Sequence, residues 1–291
     1  MLTVLVGLSS ALVFGAADFL GGLSSKRIGS LLATPIAAAT GLVALLLAYP
    51  VLGGVWSTEA VLLGALSGVA GAAAIGLLYA CLAIGPMSIL SPLTAVVSAI
   101  VPLTVGLVRG ERLGAIGYVA LGIALIAVVL VGFVPEKGAV RPSAKGILMA
   151  IGSGIAIGAF LIIIDATPDE SGIVPLILNR GTNAALMFAV LGVVTVVALR
   201  RGGERLGGKG QGVVRRGILL AVVCGVVDVV ANVGLLVGVR IGELSIMSVL
   251  TAMYPAGTII LAAVVLKERI AVVQYVGLVL AIAAGAMLAL V

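Results

Sequence analysis

The chain has 291 residues, 62% of them apolar and only 10% charged, with a mean hydropathy of +1.38. Soluble domains run at roughly 45–50% apolar and 25% charged, so a soluble globular fold is excluded and a membrane solvent is implied. The formal charge of +6 does not signal nucleic acid, because Lys and Arg sit between the apolar stretches with no aromatic surface among them, and the absence of histidine removes His-based triads and most metal sites.

Apolar runs long enough to cross a bilayer follow one another along the chain, each needing about 20 residues. The first, residues 2–24, is too long for a signal-peptide core and reads as a retained helix. It carries Asp18, eight residues before Lys26 and so about 12 Å from that basic end. Spans at 30–52, 60–83, 87–108 and 113–134 complete a first group of five. Trp56, after the second span, fits an interfacial anchor, Tyr79 lies in the third, and Cys81 and Cys224 read as small packing residues. The stretch PEKGAVRPS opens a linker over 135–145, which divides the chain into a first repeat, 1–134, and a second, 146–291.

The second group runs 146–166, 173–199, 216–239, 244–266 and 270–291. Between its first two spans, helical counting from Lys145 and from Arg200 places Asp165 and Arg180 at the same membrane face. They are expected to pair at a cavity mouth, flanked by Asn179 and Asn183, with Asp169 and Glu170 as other partners for Arg180. In the next span Asp228 stands twelve residues from both Arg216 and Arg240, about 18 Å from either anchor, which puts it near the bilayer centre. Asn232 follows by one helical turn on the same face. Tyr254 precedes Pro255 within the ninth span.

Residues 84–95, IGPMSILSPLTA, and 241–252, IGELSIMSVLTA, agree at eight of twelve positions at an offset of 157, and that register also aligns Glu111 with Glu268. A duplication of a five-span unit must enter the membrane from opposite sides, because five is odd. The fold expected is therefore an all-α integral membrane protein of ten transmembrane helices arranged as an inverted repeat. Thirteen Lys and Arg residues fall in odd-numbered connections and only Arg109, Arg112, Arg180 and Arg240 in even ones, which predicts cytoplasmic odd loops and both termini outside. Small residues recur every four positions, as in Gly7, Ala11, Gly15 and in Gly146, Ala150, Gly154, Gly158, giving smooth faces for close helix packing. Glu111 and Glu268 each stand where a carboxylate can cap the helix that follows.

The paired I-G-x-x-S-I-x-S-x-L-T-A segments, the turns Gly110-Glu111-Arg112 and Lys267-Glu268-Arg269, and the stretch Phe14-Gly15-Ala16-Ala17-Asp18-Phe19 resemble the ten-helix exporters of the drug/metabolite transporter superfamily. These are built from two EamA domains, and the resemblance covers nearly the whole chain. Phe14 stands where that family commonly has tryptophan. The resemblance implies a central cavity ringed by helices 1–4 and 6–9, with helices 5 and 10 buttressing it.

Ionisable residues inside a bilayer are costly, so Asp228 and Asp18 are the leading candidates for substrate binding or ion coupling, with Asn232, Tyr254 and Tyr79 beside them. A buried carboxylate can take up a proton, bind Na⁺ or hold an amine. The expected function is secondary active transport, as an exporter of a small polar or cationic metabolite or drug by alternating access, coupled to H⁺ through Asp228 and Asp18 or to Na⁺. The alternatives are an uncoupled facilitator for amino acids or other metabolites, a channel, and an intramembrane enzyme. The last lacks a nucleophile with a base. No cofactor and no metal are expected, the partners are the cargo and membrane lipid with no nucleic acid, and the protein is expected as a monomer in the cell membrane.

Overall fold

The computed structural model describes residues 1–84, 87–132, 142–200, 211–267 and 269–290, and among these it is helical throughout, with no strand. The helices are α1 (Leu2–Ile28), α2 (Ser30–Leu52), α3 (Thr58–Ile84), α4 (Met87–Val108), α5 (Ala115–Gly132), α6 (Ala144–Asp165), α7 (Val174–Arg200), α8 (Gln211–Ile241), α9 (Leu244–Thr251), α10 (Tyr254–Val265) and α11 (Val272–Leu288). Helix is what an apolar chain must form in lipid, since it satisfies every backbone group within its own segment. Eight stretches among the described residues are long and apolar enough to cross a bilayer, α9 and α10 together forming one of them. Two shorter apolar stretches, Pro92–Val108 and Val272–Leu288, stand where the fourth and tenth spans are expected. Most of the linker expected over 135–145 lies outside the described residues.

The ninth span, expected as one helix over 244–266, is broken at Ala252 and Met253. Pro255 explains the break: it has no N–H to donate, and its ring would clash with the carbonyl of Thr251 one turn earlier. It sits instead in the first turn of α10, where the missing N–H costs nothing. Its counterpart α4 carries Pro92 and Pro102 and remains continuous.

Packing follows the rows of small residues. Helix α1 lies along α8, α3 along α6, and α5 along α11; α4 packs on α6 and on α9, α10 on α1, α2 on α8 and on α7, and α7 on α3. At the crossing of α1 with α10, a Cβ on Gly257 would lie 2.7 Å from the Leu12 carbonyl oxygen and 3.2 Å from the Gly15 Cα, so only bare backbone fits. The outer surface is apolar, with Leu47, Leu62, Val193 and Ile282 exposed as lipid-facing side chains would be.

Contacts among the described residues sort the helix ends into two faces. One, the terminal face, gathers the chain start, the α2–α3 turn, the α4–α5 turn, the α6–α7 connection and the α8–α9 turn. The other, the basic face, holds the α1–α2 turn, the ends of α3, α5 and α10, and the starts of α6, α8 and α11.

The terminal face is closed by contacts between these loops. Val55 N–H donates to the Glu170 carbonyl at 2.8 Å and Ile173 N–H to the Gly53 carbonyl at 3.2 Å. Gly54 and Gly172 both have positive φ, and a Cβ on Gly54 would lie 2.8 Å from the Ser171 carbonyl carbon, so this contact requires glycine. Trp56 donates its indole N–H to the Tyr49 hydroxyl at 2.8 Å and stands edge-on to that ring. Arg240 donates to the Pro168 carbonyl and to Ser171 Oγ, and Arg109 pairs with Asp165 at 2.6 Å.

Glu111 caps a helix, but not the one expected. Its two carboxylate oxygens accept the Leu244 and Ser245 N–H groups at 2.9 Å each, so it closes the start of α9 in the other half of the chain rather than α5. The turn Arg109–Gly110 folds back, with Glu111 N–H on the Gly106 carbonyl, and aims the carboxylate inward over Gly106, where a Cβ would collide with it. Glu243 lies beside it, and burial, with the Glu111 charge behind it, holds the Glu243 carboxyl above the usual range. Glu268 lies outside the described residues.

Candidate functional site

At the centre of the bundle a cavity of about 510 Å³ runs between α1, α2, α8 and α10. Its walls reach Ser25, Ser30 and Gly132, at the basic-face ends of α1, α2 and α5. A smaller inner chamber of about 240 Å³ lies between α1, α3, α6, α7, α8 and the α9–α10 break. The polar residues that the two share, Asp18, Arg180, Asn183, Asp228 and Tyr254, form a layer between them.

Each of these side chains is placed by its helix. Asp18 sits past the middle of α1 and is exposed, but what it is exposed to is the cavity. Asp228 stands in the middle of α8, and Asn232, one turn on, is buried and donates its amide to the Asp228 carbonyl at 2.7 Å. Tyr254 begins α10 at the helix break and lines both chambers. Cys224, one turn before Asp228, is half-buried and turns its thiol to the Ala17 carbonyl at 3.2 Å. Tyr79 lies on α3, but its side chain is outside the described residues, as is that of Cys81.

The expected pairing of Asp165 with Arg180 is corrected. Asp165 lies at the terminal face with Arg109, whereas Arg180 reaches into the cavity and forms an ion pair with Asp228 through Nη2 and Oδ2. Helical counting locates a Cα, not the end of a long side chain, and the low-dielectric centre gives Asp228 strong reason to capture a cation. Gly41 of α2 makes the reach possible: the position of its absent Cβ lies 3.6 Å from Arg180 Cδ and 3.1 Å from Val229 Cγ2, so the arginine passes over bare backbone to α8. The flanking asparagines are likewise inside rather than at a mouth. Asn179 is buried and donates to Ser67 Oγ at 2.9 Å, and Asn183 is buried and lines both chambers.

Three features escaped the sequence. Asn183 Oδ1 and Thr251 Oγ1 are buried with no hydrogen-bond partner, and both residues line the inner chamber. Helix α4, implied by resemblance to ring the cavity, contributes none of the lining residues among those described, whereas α5, implied to stand outside, contributes Val131 and Gly132. The cause is α6, whose Gly154 and Gly158 draw α4 in behind it, where Val97 and Val101 pack on their bare faces.

Charge is unevenly distributed in this layer. Asp228 is paired with Arg180, while Asp18 has no ion-pair partner among the described residues, so the polar layer holds one carboxyl group without a counter-charge. Such a layer, set between an apolar chamber and a passage towards one face, is suited to holding one positive charge.

Fold and cavity together define the class: a multi-pass helical membrane protein enclosing a cavity lined in part by charged side chains. The family profile described as EamA-like transporter family matches residues 144–290, and the chain belongs to that family, within the drug/metabolite transporters. A solved crystal structure, described simply as that of a protein, aligns with 99% of this chain and 98% of its own at a TM-score of 0.74 and 16% identity, a likeness of fold. No match is found among curated proteins.

Proposed function

We propose that the chain is a secondary active transporter that exports a small cationic or polar compound by alternating access between two inverted five-helix repeats. The observation that carries this reading is the lone carboxylate of Asp18 beside the neutralised Arg180–Asp228 pair, in a cavity that extends towards one face and is sealed from the other. The packing of the helices supports the repeat. Exchanging the halves turns the α1–α8 pair into α6–α3, the α2–α8 pair into α7–α3, and the contact of α1 with α9 and α10 into that of α6 with α4. The α5–α11, α2–α7 and α4–α9 contacts map onto themselves, as a twofold pseudo-axis requires. On this reading the first repeat spans 1–134 and the second 146–291.

The cavity extends to the basic face, which the Lys and Arg bias places in the cytoplasm, so cargo loads there and leaves when the terminal face opens. Asp18 is the group that exchanges a proton for the cargo, and Asp228 holds Arg180 as a fixed counter-charge. Cargo and proton competing for one carboxylate is the minimal device for antiport. In proteoliposomes an imposed proton gradient is expected to drive uptake of a cationic substrate against its concentration. Asp18→Asn is expected to abolish that coupling; gradient-driven accumulation surviving in Asp18→Asn sinks the proposal, and uncoupled flux in the parent protein reduces it to a facilitator.

A further inference from the structure

Resting on the cation reading above, we infer that the cargo is a primary or secondary ammonium with an apolar body, whose N–H groups are received by Asp18, Asn183 and Thr251 while the body fills the inner chamber. The first argument is charge. With Arg180 on Asp228, one carboxylate is left to balance one positive charge.

The second argument is hydrogen-bond supply. Asn183 and Thr251 are 4% and 9% exposed, and Asn183 Oδ1 and Thr251 Oγ1 have no partner. A carbonyl oxygen can only accept, so the missing partner of Asn183 Oδ1 must bring an N–H or O–H. An ammonium carrying protons supplies these donors together with the charge. A quaternary ammonium supplies the charge alone, and would leave both oxygens buried and unsatisfied.

The third argument is shape. The inner chamber, about 240 Å³, is walled on its far side by Phe14, Ile157, Phe160, Leu161 and Leu235. A bare inorganic cation would leave that apolar volume empty, whereas an alkyl or aryl body fills it and gains the transfer free energy of its buried surface. Thr251 stands at the C-terminal end of α9, just before the break to α10, where the residue lines the chamber and its buried hydroxyl has no hydrogen-bond partner.

Binding to the purified full-length protein is measured by calorimetry for hexylamine, 2-phenylethylamine and tryptamine, for the N,N,N-trimethyl analogue of each, and for methylamine. At least one primary amine is expected to bind about tenfold or more tighter than its trimethyl analogue and than methylamine. Asn183→Leu is expected to shrink the preference for primary over quaternary to about threefold or less, and Thr251→Val, which keeps the side-chain shape, to reduce it in the same direction. Equal affinity for primary and quaternary forms, both lost in Asp18→Asn, overturns the ammonium assignment and leaves the cation reading intact. Absence of Asp18-dependent binding for every amine and every quaternary analogue overturns both.

Discussion

At the scale of single residues, the centre of the bundle is governed by where one positive side chain goes. Arg180 is 15% exposed and Asp228 24%, so neither is free of the cavity, but each would be left as a lone charge without the other. Removing one partner of a fully buried pair costs roughly 3–5 kcal/mol, and contact with the cavity lowers the expectation for Asp228→Asn to about 2 kcal/mol. The double variant Arg180→Met with Asp228→Leu is expected to recover most of that loss in thermal denaturation, while losing transport. A double variant no more stable than either single one would show that the pair is not the dominant contact. The depth of Asp228 was legible from its equal distance to two basic anchors, because rise per residue is fixed in a helix. The partnership was not legible, because it depends on α7 and α8 facing each other across Gly41, a tertiary fact that no local spacing carries.

At the scale of elements, the helices were legible and their interruptions less so. Apolar length located the helix ends to within about five residues, since lipid favours helix for the backbone, although the ninth stretch is two helices. The break of α9 from α10 was signalled by Pro255, yet Pro92 and Pro102 gave the same signal in α4 and no break followed. Glu111 shows the same limit: its capping chemistry was readable, but its target lies 133 residues away in sequence.

Replacing Glu111 with Ala removes two bonds from a carboxylate to the first amides of α9, an expected cost of about 1–2 kcal/mol. Because that contact joins the halves of the chain at the terminal face, a cysteine introduced at a buried position there, such as Leu113, is expected to react with impermeant thiol reagents several-fold faster in Glu111→Ala; an unchanged rate would dismiss the clasp. The crossing of α1 and α10 makes a second test. Gly257→Ala is expected to destabilise by about 1–3 kcal/mol because its methyl would press on the Leu12 backbone. Gly76→Ala, with nothing within 4 Å of the new methyl, is expected to be neutral or slightly stabilising by thermal denaturation.

At the scale of the whole molecule, the described residues show loops bonded together on one side and a cavity running towards the other. Among the described residues, the α2–α3 turn, the α6–α7 connection and the α8–α9 turn are joined at the terminal face, while the larger cavity runs to the ends of α1, α2 and α5 near the opposite one. Cys224, on the wall of that passage, offers a direct measure. In a Cys81→Ser background, an impermeant thiol reagent is expected to modify Cys224 from the basic face and not from the terminal face, and a bound cationic substrate to slow the reaction. Modification from the terminal face alone would reverse the assignment of the passage. The matching twelve-residue segments align α9 with α4, but they do not show that the ninth span is split at the polar layer while α4 runs unbroken behind α6.

Trp56 gives this arrangement an optical consequence. It is the single tryptophan of the chain, half-exposed, and bonded to Tyr49, whose own hydroxyl donates to the carbonyl of Gly54 in the turn that meets the α6–α7 connection. The native fluorescence of the unlabelled protein therefore originates at the seam between the two halves, and a change in its colour or intensity reports the parting of that seam without any engineered probe.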